Sequence, residues 1–100
     1  MAERTVVYWR DIPAQVIVKA GRNQARRQLS DRFQEAIDSA AMRAGLYGTD
    51  DYLGEWRRVG PEACGDDVEA EADAAMARLE AEFPDEALQA LIAAGGSQEP

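Results

Sequence analysis

One hundred residues, 46% of them hydrophobic, suit one small domain with one core. The net charge of −8, from eleven bases and nineteen acids, argues against a surface built as a whole for a polyanion. Histidine is absent and cysteine occurs once, at Cys64. That excludes His-based nucleophile sets, a zinc site held by this chain's own Cys and His, and an intrachain disulfide.

Residues Thr5 to Arg10 alternate and are rich in β-formers, which predicts a strand. Asp11-Ile12-Pro13 reads as a tight turn, because proline donates nothing to a ladder and restricts Ile12. Ala14 to Lys19 reads as a second strand. Apolar residues fall on both faces of this pair, so a second layer or a partner is expected to cover the far face. Ala20-Gly21-Arg22-Asn23 is a turn, and Arg26 to Leu29 a short third strand with charges suited to an edge.

Ser30 is placed as the cap of a first helix. Phe33, Ala36, Ile37, Ala40, Ala41 and Ala44 form its apolar stripe, and Gly45 its stop. Thr49 is read as the cap of a second, short helix with Tyr52, Leu53 and Trp56 on one face. Arg57 and Arg58 fall at its C-terminal end, and Gly60-Pro61 ends it. Gly54 inside that helix is read as a mark of close backbone approach. Glu62 to Asp67 reads as a loop, and Asp66-x-x-Glu69 as a capping box for a third helix running to about Glu82. Pro84 starts a last helix over Asp85 to Ala94, and Gly95-Gly96 stop it. The expected fold is α+β: an N-terminal antiparallel sheet of two to three strands packed with three to four helices. A single domain spans residues 1–96, and residues 97–100 form a flexible tail.

Charge is unevenly distributed. Residues 1–32 hold seven bases against three acids, and residues 33–100 hold four bases against sixteen acids. The two halves either neutralise each other across the fold or leave a basic patch near Tyr8 on the sheet. Cys64 lies among Glu62, Asp66 and Asp67, which raise a thiol's pKa and do not activate it. The run Asp66-Asp67-x-Glu69-x-Glu71-x-Asp73 lacks an EF-hand's glycine loop and reads as a solvated helix face. No metal site and no cofactor is expected. Asp11 is the one carboxylate worth testing as a catalytic group, provided it is buried. No apolar run approaches the length of a membrane span, no secretory leader is visible at the N-terminus, and a cytoplasmic location is expected.

The run Tyr8-Trp9-Arg10-Asp11-Ile12-Pro13-Ala14-Gln15-Val16 resembles a bacterial family labelled "virulence factor". Leu29-Ser30-Asp31-Arg32-Phe33, Ile37-Asp38, Ala40-Ala41-Met42-Arg43-Ala44-Gly45, Asp51-Tyr52-Leu53 and Glu55-Trp56-Arg57 continue the likeness, over residues 5 to 94. Members of that family look to be encoded near corrinoid and methyltetrahydrofolate methyl-transfer proteins. The resemblance therefore implies an accessory role in one-carbon, methionine-forming metabolism. It carries no catalytic residues.

The leading expectation is a non-catalytic accessory or interaction subunit that docks a larger cytoplasmic protein, such as a methyltransferase or corrinoid protein. Its partner-binding residues are Tyr8, Trp9, Arg10, Asp11, Ile12, Pro13, Arg26, Arg27 and Trp56. Nucleic acid and membrane are disfavoured as partners, and a homodimer is left open. The alternative is binding of a small anionic ligand or cofactor by Arg10, Arg26 or Arg27.

Overall fold

The computed structural model describes residues 2–97. The elements in order are β1 (Ala2–Trp9), β2 (Ile12–Ala20), β3 (Asn23–Gln28), α1 (Asp31–Arg43), α2 (Asp50–Gly54), β4 (Trp56–Cys64), α3 (Val68–Glu82) and α4 (Asp85–Ala93). The class is α+β, with one antiparallel sheet in the order β3-β2-β1-β4. The described sheet thus has four strands, one more than the largest number expected. Of the expected tail, residues 98–100 lie outside the described residues.

The first hairpin turns earlier than its sequence suggests. Trp9 sits opposite Ile12, so Arg10 and Asp11 alone make the connection. Arg10 takes a positive φ of 53°, unique among the described non-glycine residues. Ile12 and Pro13 belong to β2. Pro13 lies opposite Tyr8, next to a one-residue register shift between Val7 and Tyr8. A bulge is where a central strand tolerates a proline, since the ladder is already interrupted there.

The added strand is β4. Trp56, Arg57 and Arg58 pair with Trp9, Tyr8 and Val7, and do not form the end of a helix. Local spacing misleads here because Tyr52, Leu53 and Trp56 fit a helical stripe, while Gly60-Pro61 looks like a breaker. Tertiary pairing with β1 overrides both. Gly60 occupies a bulge at φ 112°, where an added Cβ would stand 2.7 Å from the Arg4 carbonyl oxygen. Pro61 is tolerated because β4 is an edge strand.

Helix α1 buries Phe33, Ala36, Ile37, Ala40 and Ala41, the stripe its periodicity predicts. It packs on α4 through Leu88 and Leu91, and α3 lies over β2 and β3 with Ala72, Ala75 and Leu79 inward. With Val6, Val16, Val18 and Ala25 these form one core. Small alanines let the helices come close, and Trp9, Phe33, Ile12 and Ile37 supply the bulk. Thr49 caps α2 by accepting from the Tyr52 amide at 3.4 Å. Asp67, one residue later than expected, caps α3 by accepting from the Ala70 amide at 3.1 Å. Asp66 instead accepts from the Ala2 amide at 3.2 Å. Gly54 faces open space, so no close backbone approach explains it.

Most N-terminal cations are neutralised by acids from the second half. Arg27 holds Glu69 and Asp73 at 2.9 and 2.7 Å. Arg32 holds Glu80 at 3.1 Å and Asp85 at 3.3 Å, and Arg4 lies 3.6 Å from Glu62. Glu80 also accepts from the Ser30 amide and hydroxyl at 2.8 and 3.0 Å. Burial alone would raise the Glu80 carboxyl's pKa, but these hydrogen bonds from Ser30 and Arg32 outweigh it and leave it below its ordinary value.

Candidate docking surface

The hairpin tip is tied to three other parts of the chain. The Arg10 guanidinium donates to Glu55 Oε1 and to the Gly95 carbonyl, both at 3.0 Å. The Arg10 amide donates to the Glu55 carbonyl at 3.1 Å, and the Asp11 amide to the Gly96 carbonyl at 2.8 Å. Arg57 reaches back from β4, donating to the Arg10 carbonyl at 2.9 Å and to Asp11 Oδ1 at 3.1 Å. Its guanidinium carbon stands 5.0 Å from the centre of the Tyr8 ring. Trp9 donates its indole N–H to the Tyr52 carbonyl at 2.9 Å. Backbone polar groups that a positive-φ turn would leave exposed are thereby paired.

This geometry corrects the expected contact set. Trp9, Ile12 and Pro13 are buried, so they hold the fold and offer no surface to a partner. Arg10 and Arg27 are engaged within the chain, which removes them as free anion ligands. Among the described residues no polar or charged side chain is buried. Asp11 is a turn brace paired with Arg57, without the burial that a catalytic reading requires. Burial raises the pKa of Tyr8, partly offset by Arg57. Burial also pushes the Cys64 thiol up, and Glu71 adds to it. The acidic run does not converge. Asp67 caps a helix while Glu69 and Asp73 serve Arg27.

Of the expected residues, Arg26 and Trp56 are left near a face that the helices do not cover. Val7 and Ile17 alternate with the core residues Val6, Val16 and Val18 and point to the opposite side of the sheet. They are only 8% and 4% exposed, although they lie outside the cluster under the helices. Their cover is lateral. Val7 lies between Gln15 and Arg58 across the strands, and Ile17 between Thr5 and Arg26. Long polar stems can shield apolar residues in this way. Val7, Gln15, Trp56, Arg57 and Arg58 line an open depression of about 360 Å³. Glu3, Thr5, Ile17, Lys19, Arg58 and Pro61 line a second of about 240 Å³. Lys19, Arg26 and Arg58 form no ion pair among the described residues. Lys19 belongs, with Arg10, Arg26 and Arg27, to the basic set that the strand pattern gathers near Tyr8, whereas Arg58 was missed by sequence reasoning. Arg58 was assigned to a helix end, and its neighbours become visible only once β4 is paired with β1.

A family model described as "Virulence factor" matches residues 7–92. The chain belongs to that family. No curated protein and no solved structure gives a match. The virulence factor match spans the hairpin tip, Glu55, β4 and most of α4, and stops short of Gly95 and Gly96, whose carbonyls also hold the turn. Among the described residues no helix is long and apolar enough to cross a membrane.

Proposed function

We propose that this member of the virulence factor family is an interaction subunit that docks an acidic surface of a larger cytoplasmic protein through its open sheet face. The observation that carries the reading is the set of three cations, Lys19, Arg26 and Arg58, that form no ion pair among the described residues and surround the apolar pair Val7 and Ile17. The rest of the protein is strongly acidic, so a cationic face on it gives orientation as well as attraction. A docked partner would cover Val7 and Ile17 more fully and give the cations counter-charges. The candidate partner is the corrinoid- or folate-dependent methyl-transfer machinery that the family resemblance implies.

The test is co-purification with purified corrinoid methyl-transfer proteins at low and moderate salt. A K19E/R26E/R58E variant is compared with R43E, which changes an exposed cation on α1. Docking through the sheet face predicts a salt-sensitive complex lost in the triple variant and kept in R43E. A complex that survives the triple variant refutes the surface. Self-association with the same mutational pattern would make the occupant a second copy of this chain. The smaller depression beside Lys19 and Arg58 supports a second reading, a small anionic ligand, and titration with inorganic phosphate separates it from docking.

A further inference from the structure

We infer that a second, separate site at the α1–α2 corner takes an alkylammonium head group. Tyr47, Tyr52, Leu53, Asp38 and Asp50 line an open cavity of about 490 Å³ there, within the usual size range of ligand pockets. None of these residues belongs to the basic sheet face. The Tyr47 and Tyr52 rings have centroids 6.5 Å apart and planes at 69°. Two rings at such an angle make a concave corner, and a cation in it can lie within ~6 Å of both centroids. A rounded ammonium can touch both ring faces at once, whereas a planar guanidinium stacks well on only one.

Two further observations point the same way. Tyr47 and Leu53 are 61% and 66% exposed, a large apolar exposure for adjoining side chains in so small a domain. The carboxylates of Asp38 and Asp50 have no ion-pair partner among the described residues. Among the described residues Asp38 accepts only from the Gln34 amide group, at 3.1 Å. A first-turn position at the positive end of α2 accounts for Asp50 alone; it leaves Asp38 and the exposed rings unexplained. The corner is also anchored. Tyr52 packs on Trp9 with centroids 5.5 Å apart and on Trp56 at 6.2 Å, so one wall is fixed by the core while Tyr47 stays accessible.

The experiment is a two-dimensional amide NMR titration of the full chain with tetramethylammonium chloride, against potassium chloride at equal ionic strength. Saturable shifts at Tyr47 to Leu53 that potassium does not reproduce are expected. Tyr47→Phe should keep the binding, and Tyr47→Ala should weaken it about threefold to tenfold. Asp38→Asn should weaken it as well. Equal shifts with potassium, or undiminished binding by Tyr47→Ala, would overturn the site. A parallel arm uses a short peptide with one trimethyl-lysine. Tighter binding of the peptide assigns the head group to a partner's side chain, and equal binding assigns it to a free small molecule.

Discussion

Substituting Gly96 tests whether the C-terminal end of the chain is what holds the hairpin tip. Gly96 has a φ of 95°, and its carbonyl accepts from the Asp11 amide at 2.8 Å. A Cβ placed there would stand 2.7 Å from Trp9 Cζ3, 3.2 Å from Cε3 and 3.4 Å from Ala40 Cβ. Trp9 is fully buried and donates to Tyr52, so its ring cannot swing away without breaking that bond. Forcing a methyl into such a place costs about 1–3 kcal/mol by overpacking. The positive φ adds about 1–2 kcal/mol for a residue with a Cβ. Gly96→Ala should therefore lose about 2–5 kcal/mol, which for a domain of this size lowers Tm by roughly 8–40 °C. Gly45→Ala is the control, since Gly45 has a φ of 76° and nothing within 4 Å of an added Cβ. It should carry the backbone cost alone, about 1–2 kcal/mol. Urea unfolding followed by far-ultraviolet circular dichroism gives both values. If the two variants were destabilised equally, Gly96 would be an ordinary helix stop and the anchoring role would be wrong.

Arg57→Ala removes the bonds to Arg10 and Asp11 and the contact with Tyr8; with a side chain 49% exposed, the expected loss is about 1–2 kcal/mol in urea unfolding. No measurable loss would mean that the turn is held by Gly95, Gly96 and Glu55 alone. Glu80→Gln should destabilise at neutral pH and converge on the parent in acid. The folded carboxyl sits below its ordinary value of 4.5, so its contribution is complete above that value and disappears as pH falls through the lower folded one. A gap between the two proteins that persists unchanged into strong acid would contradict this. Alkylation of Cys64 by iodoacetamide should have its midpoint above the ordinary thiol value of 9.0, because burial and Glu71 oppose the thiolate. A midpoint near neutrality would point to an activating group at that thiol.

The helices were legible because their signals are local. The α1 stripe, the Thr49 cap and the Gly45 and Gly95-Gly96 stops each follow from residues within a few positions of one another. The first hairpin was legible as a hairpin but not in its turn. Asp11-Ile12-Pro13 looks like the place to reverse, yet the reversal falls on Arg10 and Asp11, and the unfavourable φ of Arg10 is offset by bonds to residues 45 to 85 positions away. Strand β4 was illegible for the same reason. It contains few β-formers beyond Trp56 and Val59, and its conformation comes from pairing with β1. The contact residues inherited that error. Trp9, Ile12 and Pro13 look like a display because aromatic, charged and proline residues are crowded together. Burial cannot be read from crowding.

The most recognisable residues of this chain therefore say how it folds more than what it touches. Arg10 joins Trp9, Glu55 and Gly95, and Arg57 joins Arg10 to Asp11 and Tyr8, so the Tyr-Trp-Arg-Asp run and the Glu-Trp-Arg run meet as one knot. Each member satisfies a backbone group or packs a ring that the others expose, so changing one leaves its neighbours unpaired. Residues held in this way are poor choices for a contact surface, because adapting them to a partner would destabilise the turn. Lys19, Arg26 and Arg58 stand outside the knot with no side-chain ion pair among the described residues, and Tyr47 and Asp38 stand outside it with only the local contacts to Tyr52 and Gln34. They can change with the partner at little cost to stability. Substitutions in the knot should therefore lower stability and binding together, whereas substitutions on the open sheet face should lower binding and leave the unfolding curve where it was.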